Sequence, residues 1–146
     1  MRKGIVMSTD TSKKHPAISM DPNQGQSKKA VGKQGEDIAA AYLLGNGYEI
    51  LARNFRWKTG EIDIIAVDET DQNTVVTFEI KTRKTLNYGL PRESVTAEKR
   101  KRIQKTALIY AAANNLYSMD FRMDVIEVLL IHGKTYISHI KNALTL

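Results

Sequence analysis

Gly60-Glu-Ile-Asp63-Ile-Ile-Ala-Val67 and, six polar residues later, Thr74-Val-Val-Thr-Phe-Glu79-Ile-Lys81-Thr-Arg83 are two apolar runs, each interrupted by charge. Glu61 to Val67 reads as a strand, Asp68 to Asn73 as a polar turn, and Thr74 to Lys81 as the return strand. Side chains alternate across a strand, so Glu61 and Asp63 share one face, and Glu79 and Lys81 share one face. A hairpin that pairs Val67 with Val75 sets Asp63 opposite Glu79 and Glu61 opposite Lys81; another even register makes these pairs diagonal.

Opposed carboxylates, with Cβ atoms about 4.5–5.5 Å apart, repel when both are ionised. The neighbours Ile62, Ile64, Val76, Phe78 and Ile80 predict a well-buried hairpin, so the pair needs a shared proton, a basic side chain or a divalent cation. Oxygen donors without cysteine or a nearby histidine favour a hard ion, magnesium or manganese. Lys81 then places an ammonium beside that ion, which is the equipment for attack of water on a phosphodiester. Spacing alone leaves a second reading open, in which Glu61 bonds Lys81 and Asp63 bonds Arg83 or Arg56 as ordinary salt bridges.

Upstream, the alanine-rich stretch from Val31 to Gly45 predicts a helix with Ile38, Ala41, Tyr42 and Gly45 on one stripe, stopped at Gly45-Asn-Gly47. Residues 48–57 are rich in strand formers. Downstream comes a loop with Asn87, Tyr88, Gly89, Pro91 and Arg92, for which stacking of Tyr88 on a base is the functional reading and a solvated loop the structural one. Thr96 then caps a helix running to about Asn114, with Ile103, Ala107, Leu108 and Ala111 inward. Phe121 to Leu130 and Thr135 to Ile140 read as two more strands around His132-Gly133. The order helix, three strands, helix, strand, strand describes an α/β domain with a mixed sheet.

The net charge of +6 is unevenly placed. Residues 1–34 hold seven basic and two acidic side chains, and residues 35–146 hold fifteen and fourteen. Residues 1–30 lack helix or strand periodicity and are expected to form a disordered basic arm ahead of a single domain over 31–146. Met7 and Met20 are alternative translation starts within that arm. No apolar run reaches membrane or secretory length, which predicts no membrane association and a cytoplasmic location. The absence of cysteine excludes disulfides, thiolate-bound zinc, iron–sulfur clusters and thiol catalysis. No phosphate-binding P-loop, dinucleotide glycine pattern or nucleophile elbow is present.

Glu98-Lys-Arg-Lys-Arg-Ile-Gln-Lys105 puts five basic residues on the first turns of the second helix. Cations near a helix N-terminus oppose its dipole at up to about 1 kcal/mol, so contact with DNA phosphates is the functional reading and a solvated face the structural one. Lys99, Arg100 and Arg102, with Arg83 and Lys84 beyond the return strand, are the candidate phosphate contacts. Asp124, among Phe121, Met123, Val125 and Ile126, is expected to pair with an arginine and hold the sheet.

As a set, Gly60-Glu-Ile-Asp63, Phe78-Glu-Ile-Lys-Thr-Arg83, Gly35-Glu36, Gly89, Pro91 and Phe121-Arg-Met-Asp124-Val-Ile resemble the YraN-like family of uncharacterised bacterial proteins. The resemblance runs from about Gly32 to about Leu130. It implies the three-layer restriction-endonuclease-like fold of the PD-(D/E)xK nucleases, similar to archaeal Holliday-junction resolvases. By that likeness Asp63 and Glu79 are catalytic metal ligands, Lys81 is the catalytic lysine, and the backbone carbonyl of Ile80 and Glu36 are further ligands. Ile62 stands where that pattern often has proline. The implied activity is magnesium- or manganese-dependent cleavage of DNA, branched or damaged DNA included, and the implied oligomer is a homodimer. A nucleic-acid-binding protein that keeps the fold without catalysis is the alternative.

Overall fold

The computed structural model describes residues 6–10, 27–85, 96–116 and 118–143. Its elements in chain order are β1 (Val6–Asp10), α1 (Lys28–Leu44), β2 (Tyr48–Trp57), β3 (Gly60–Asp68), β4 (Thr74–Arg83), α2 (Ala97–Ala113), β5 (Phe121–Ile131) and β6 (Lys134–Ile140). The strands form one sheet in the order β1-β6-β5-β4-β3-β2. Among the described strands only β4 and β5 run parallel, because α2 lies in the crossover between them. From α1 onward the order is the expected one, and the sheet is mixed with a helix on each face.

Each helix seals its own apolar layer. Ala39, Tyr42 and Leu43 of α1 pack with Ile64, Phe78, Ile126 and Val128, while Ile103 and Ala107 of α2 pack with Ile65, Val75 and Val125. The layers draw on alternate residues of the same central strands, which is why β3 and β4 read as nearly continuous apolar runs.

The expected inward faces hold in the main, with Tyr42 and Ile38 of α1 and Ile103, Ala107 and Ala111 of α2 turned to the core, and they fail at single positions. In α1 the buried residues are Gly35, Ala39, Ala40, Tyr42 and Leu43, whereas Ala41 is exposed. Gly35 sets this phase, since a Cβ there would collide with the Thr82 side chain of β4. In α2 the inward slot expected for Leu108 goes to Thr106, and Leu108 is 62% exposed. Thr106 Oγ1 hydrogen-bonds Thr59 Oγ1 at 2.7 Å and donates to the Arg102 carbonyl, so its hydroxyl is satisfied in the buried position.

The N-terminal expectation also needs correction. Val6–Asp10 is an antiparallel edge strand on β6, with Val6 opposite Ser138 and Asp10 opposite Lys134. An edge strand borrows its register from a neighbour's backbone, so a polar sequence with no amphipathic pattern can still form one. The first helix starts at Lys28, before the expected domain start, because Ser27 accepts the Ala30 N–H as its N-cap. The loop containing Asn87, Tyr88, Gly89, Pro91 and Arg92 lies outside the described residues. Among the described residues no helix is long and apolar enough to cross a membrane.

Candidate active site

The predicted register is present, with Val67 opposite Val75, but the β3–β4 ladder ends at Ile64 opposite Phe78. Beyond that point β3 stays with β2 as far as Gly60 opposite Trp57, and β4 stays with β5 as far as Arg83 opposite Leu129. The two strands therefore fork. Alternation also breaks there: Ile62 packs under α2 and Ile64 under α1, although they are two residues apart. Opposite the break, Asn54 takes a positive φ of 53°, which asparagine accepts more readily than most residues.

Asp63 lies in the mouth of the fork. Its Oδ2 accepts the Ile80 N–H at 2.8 Å, a backbone donor that the interrupted ladder leaves over. Among the described residues no basic side chain bridges Asp63. Burial pushes its carboxyl up to about 7, and the charges of Glu79, Glu36 and Glu61 add to this against the Ile80 hydrogen bond. Glu79 is buried beside it but compensated: Lys99 Nζ lies 2.5 Å and Lys81 Nζ 3.2 Å from its Oε1. Burial works against the Lys99 ammonium, yet the hydrogen bond and charge of Glu79 outweigh it and raise its pKa.

A cavity of about 490 Å3 opens over these groups, bordered by Trp57, Lys58, Glu61, Asp63, Glu79, Lys99 and Arg102. A second cleft of about 640 Å3, on the α1 side, is bordered by Lys29, Lys33, Glu36, Arg53, Arg56 and Glu61. Glu61 belongs to both, but it meets Arg56 at 3.3 Å and not Lys81. Glu36 reaches Asp63 with its charge while lining the other cleft. Among the described residues no three acid or histidine side chains close into a ready cage. The buried Glu79 and half-buried Asp63 carboxylates do fit a hard cation, since magnesium keeps several waters and is commonly held by one or two protein carboxylates plus substrate phosphate.

The five candidate phosphate contacts separate. Arg102 is exposed on the cavity rim, Lys84 is exposed beyond β4, and Arg100 is half-buried. Arg83 turns to β5, with Nε 3.7 Å from Glu127 Oε2. Lys99 belongs to the carboxylate centre itself. The sequence carries the signal for this, because Thr96 caps the helix and Lys99 shares a helical stripe with Ile103 and Thr106, the face turned to the sheet.

A family model described as uncharacterised protein family UPF0102 matches residues 35–128, a span that holds Glu36, both fork strands and α2. The chain belongs to this family. Family UPF0102 proteins similar to it include one from Trichlorobacter lovleyi, 46% identical over 126 residues that cover 86% of this chain and 98% of the relative. Another, from Caldanaerobacter subterraneus, is 45% identical over 119 residues, 80% of this chain and 95% of the relative. A third, from Clostridium botulinum, is 47% identical over 121 residues, 79% of this chain and 94% of the relative. The YraN-like resemblance is thus a family membership, and the family's name carries no activity with it.

Proposed function

We propose that this UPF0102 protein hydrolyses DNA phosphodiester bonds at the strand fork, using magnesium or manganese. The carrying observation is the asymmetry of the two carboxylates: among the described residues Glu79 is met by two lysines, whereas the half-buried Asp63 has only a backbone N–H. Asp63 and Glu79 would hold the cation, with the Ile80 carbonyl and Glu36 as the further donors that the resemblance implies. When bound, such a cation polarises the phosphoryl group and acidifies water.

The chain's own residues supply the rest. Lys81, anchored by Glu79, presents a fixed ammonium to the negative charge that builds on the phosphate. Lys99 holds the Glu79 carboxylate in place from the α2 side. Arg102 and Lys58 on the rim attract the DNA backbone, so affinity should fall as salt rises. The already neutralised Glu79 favours one other reading, a DNA-binding protein without catalysis.

The test is cleavage of four-way, flap, single-stranded and duplex DNA with magnesium or manganese, with wild type and Lys81→Ala purified in parallel. Wild type should cut at least one substrate, and the variant should lose about 100-fold or more. If wild type cuts none of them while binding DNA, the non-catalytic reading replaces this one.

A further inference from the structure

Trp57 is the only tryptophan in the chain and is 54% exposed. An indole left in water at a cleft offers a large flat apolar face for recognition. This one stands on a fixed support. Trp57 pairs with Gly60 across the β2–β3 turn, and a Cβ on Gly60 would lie 3.3 Å from Thr106 Oγ1 and 3.5 Å from Arg102 Cβ. The adjoining Thr59–Thr106 hydrogen bond fastens the same turn to α2. The indole therefore lines the cavity that contains Asp63 and Glu79, with Lys58 and Arg102 beside it. Neither Lys58 nor Arg102 has an ion-pair partner among the described residues.

An aromatic face next to unpaired cations is the chemistry that holds a nucleotide, with the base on the ring and the phosphates on the charges. Duplex keeps its base faces inside the stack except at its two ends, so along the strand an unpaired base is what can cover the indole. We propose that Trp57 is a stacking platform for an unpaired nucleobase and that Lys58 and Arg102 take the neighbouring phosphates. On this reading the cleft prefers single-stranded or frayed DNA to closed duplex. The inference rests on the nucleic-acid reading above and deepens it by naming the strand form.

A binding experiment in EDTA keeps cleavage out of the test. The full chain is titrated with a short oligodeoxyadenylate and with a blunt duplex of equal length, following both Trp57 emission and the anisotropy of a labelled strand. Single strand should quench the emission, which reports this site alone. Trp57→Ala should bind single strand about 5- to 150-fold more weakly, the equivalent of about 1–3 kcal/mol per stacked base. Trp57→Phe should keep most of the affinity, and duplex binding should change little in either variant. Circular dichroism confirms that both variants fold. Saturation by single strand without quenching, or an unchanged affinity of Trp57→Ala, overturns the platform and leaves the nucleic-acid reading standing. Failure of every oligonucleotide to bind overturns both.

Discussion

Two groups of acids are set into the same apolar sheet, and they are treated in opposite ways. At the fork, Asp63 has one backbone donor and sits over an open cavity. In the second group, Asp68 and Asp124 are fully buried and every carboxylate oxygen is met. Arg122 donates Nε and Nη2 to Asp124, Nη2 also to Asp68 and to the Tyr48 hydroxyl, and Nη1 to Asp71. His139 Nε2 and the Asn142 N–H complete Asp124, while Thr70 holds the other Asp68 oxygen through its N–H and hydroxyl. Tyr42 of α1 joins at His139 Nδ1, 3.0 Å away.

The electrostatics follow the partners. Burial pushes the carboxyls of Asp68 and Asp124 up, but their hydrogen bonds and the Arg122 charge outweigh it and hold both below the ordinary range. At the fork burial wins and Asp63 rises to about 7. Burial alone therefore does not mark a working carboxylate. A buried acid with its partners supplied ties elements together, and one left short of them is free to take a cation.

The largest test of this contrast is Arg122→Met. It strands two buried carboxylates, so unfolding in urea should show a loss of about 3–5 kcal/mol. A loss under about 1 kcal/mol would make the two groups alike.

Acidity separates them next, with opposite signs. A carboxyl whose pKa is raised on folding binds its proton more tightly in the native state, so its contribution is present at low pH and fades as pH climbs to the folded value. Asp63 should thus make the protein less stable between about pH 4 and pH 7. The full shift corresponds to roughly 4 kcal/mol, and water in the open cleft should reduce this to about 1–3 kcal/mol. Asp63→Asn should remove that slope, and magnesium should flatten it in the wild type alone. Asp68 and Asp124 act the other way, giving stability that is lost only as pH falls below about 4.

Lys99→Met should cost about 1 kcal/mol, since Glu79 keeps Lys81 and the ammonium is partly solvated. The smallest effect belongs to a third kind of acid: Asp37 bridges Arg53 at 2.7 Å on the open surface, so Arg53→Ala should change stability by about 0.5 kcal/mol or less in the same urea titration. A larger loss there would mean that exposure does not rank these clusters.

Much of this was readable in the chain. The β3–β4 hairpin followed from a six-residue turn between two apolar runs, its register being one of the even ones that turn allows, and Asp124 was rightly expected to pair with an arginine, which is Arg122. The acids Asp63 and Glu79 stood out because charge interrupts strands that are otherwise apolar. Nothing local in the sequence ties His139 to Tyr42, 97 positions away. The salt-bridge reading of the fork failed in its particulars, since Glu61 went to Arg56 and Asp63 to a backbone N–H.

The sequence by itself determined the element types from α1 onward, the central hairpin and the acids and lysine that mark the fork. Those depend on periodicity, turn chemistry and residue spacing, all local properties. Tertiary structure decided the burial of Thr106 in place of Leu108, the edge strand β1, the fork itself and the arrival of Lys99 and Trp57 at the carboxylates. Each of these depends on which backbone and side chains meet across the sheet. The fork is the clearest case, because β3 and β4 part beyond Ile64 and Phe78 while each keeps its outer partner, and no local pattern encodes where that happens.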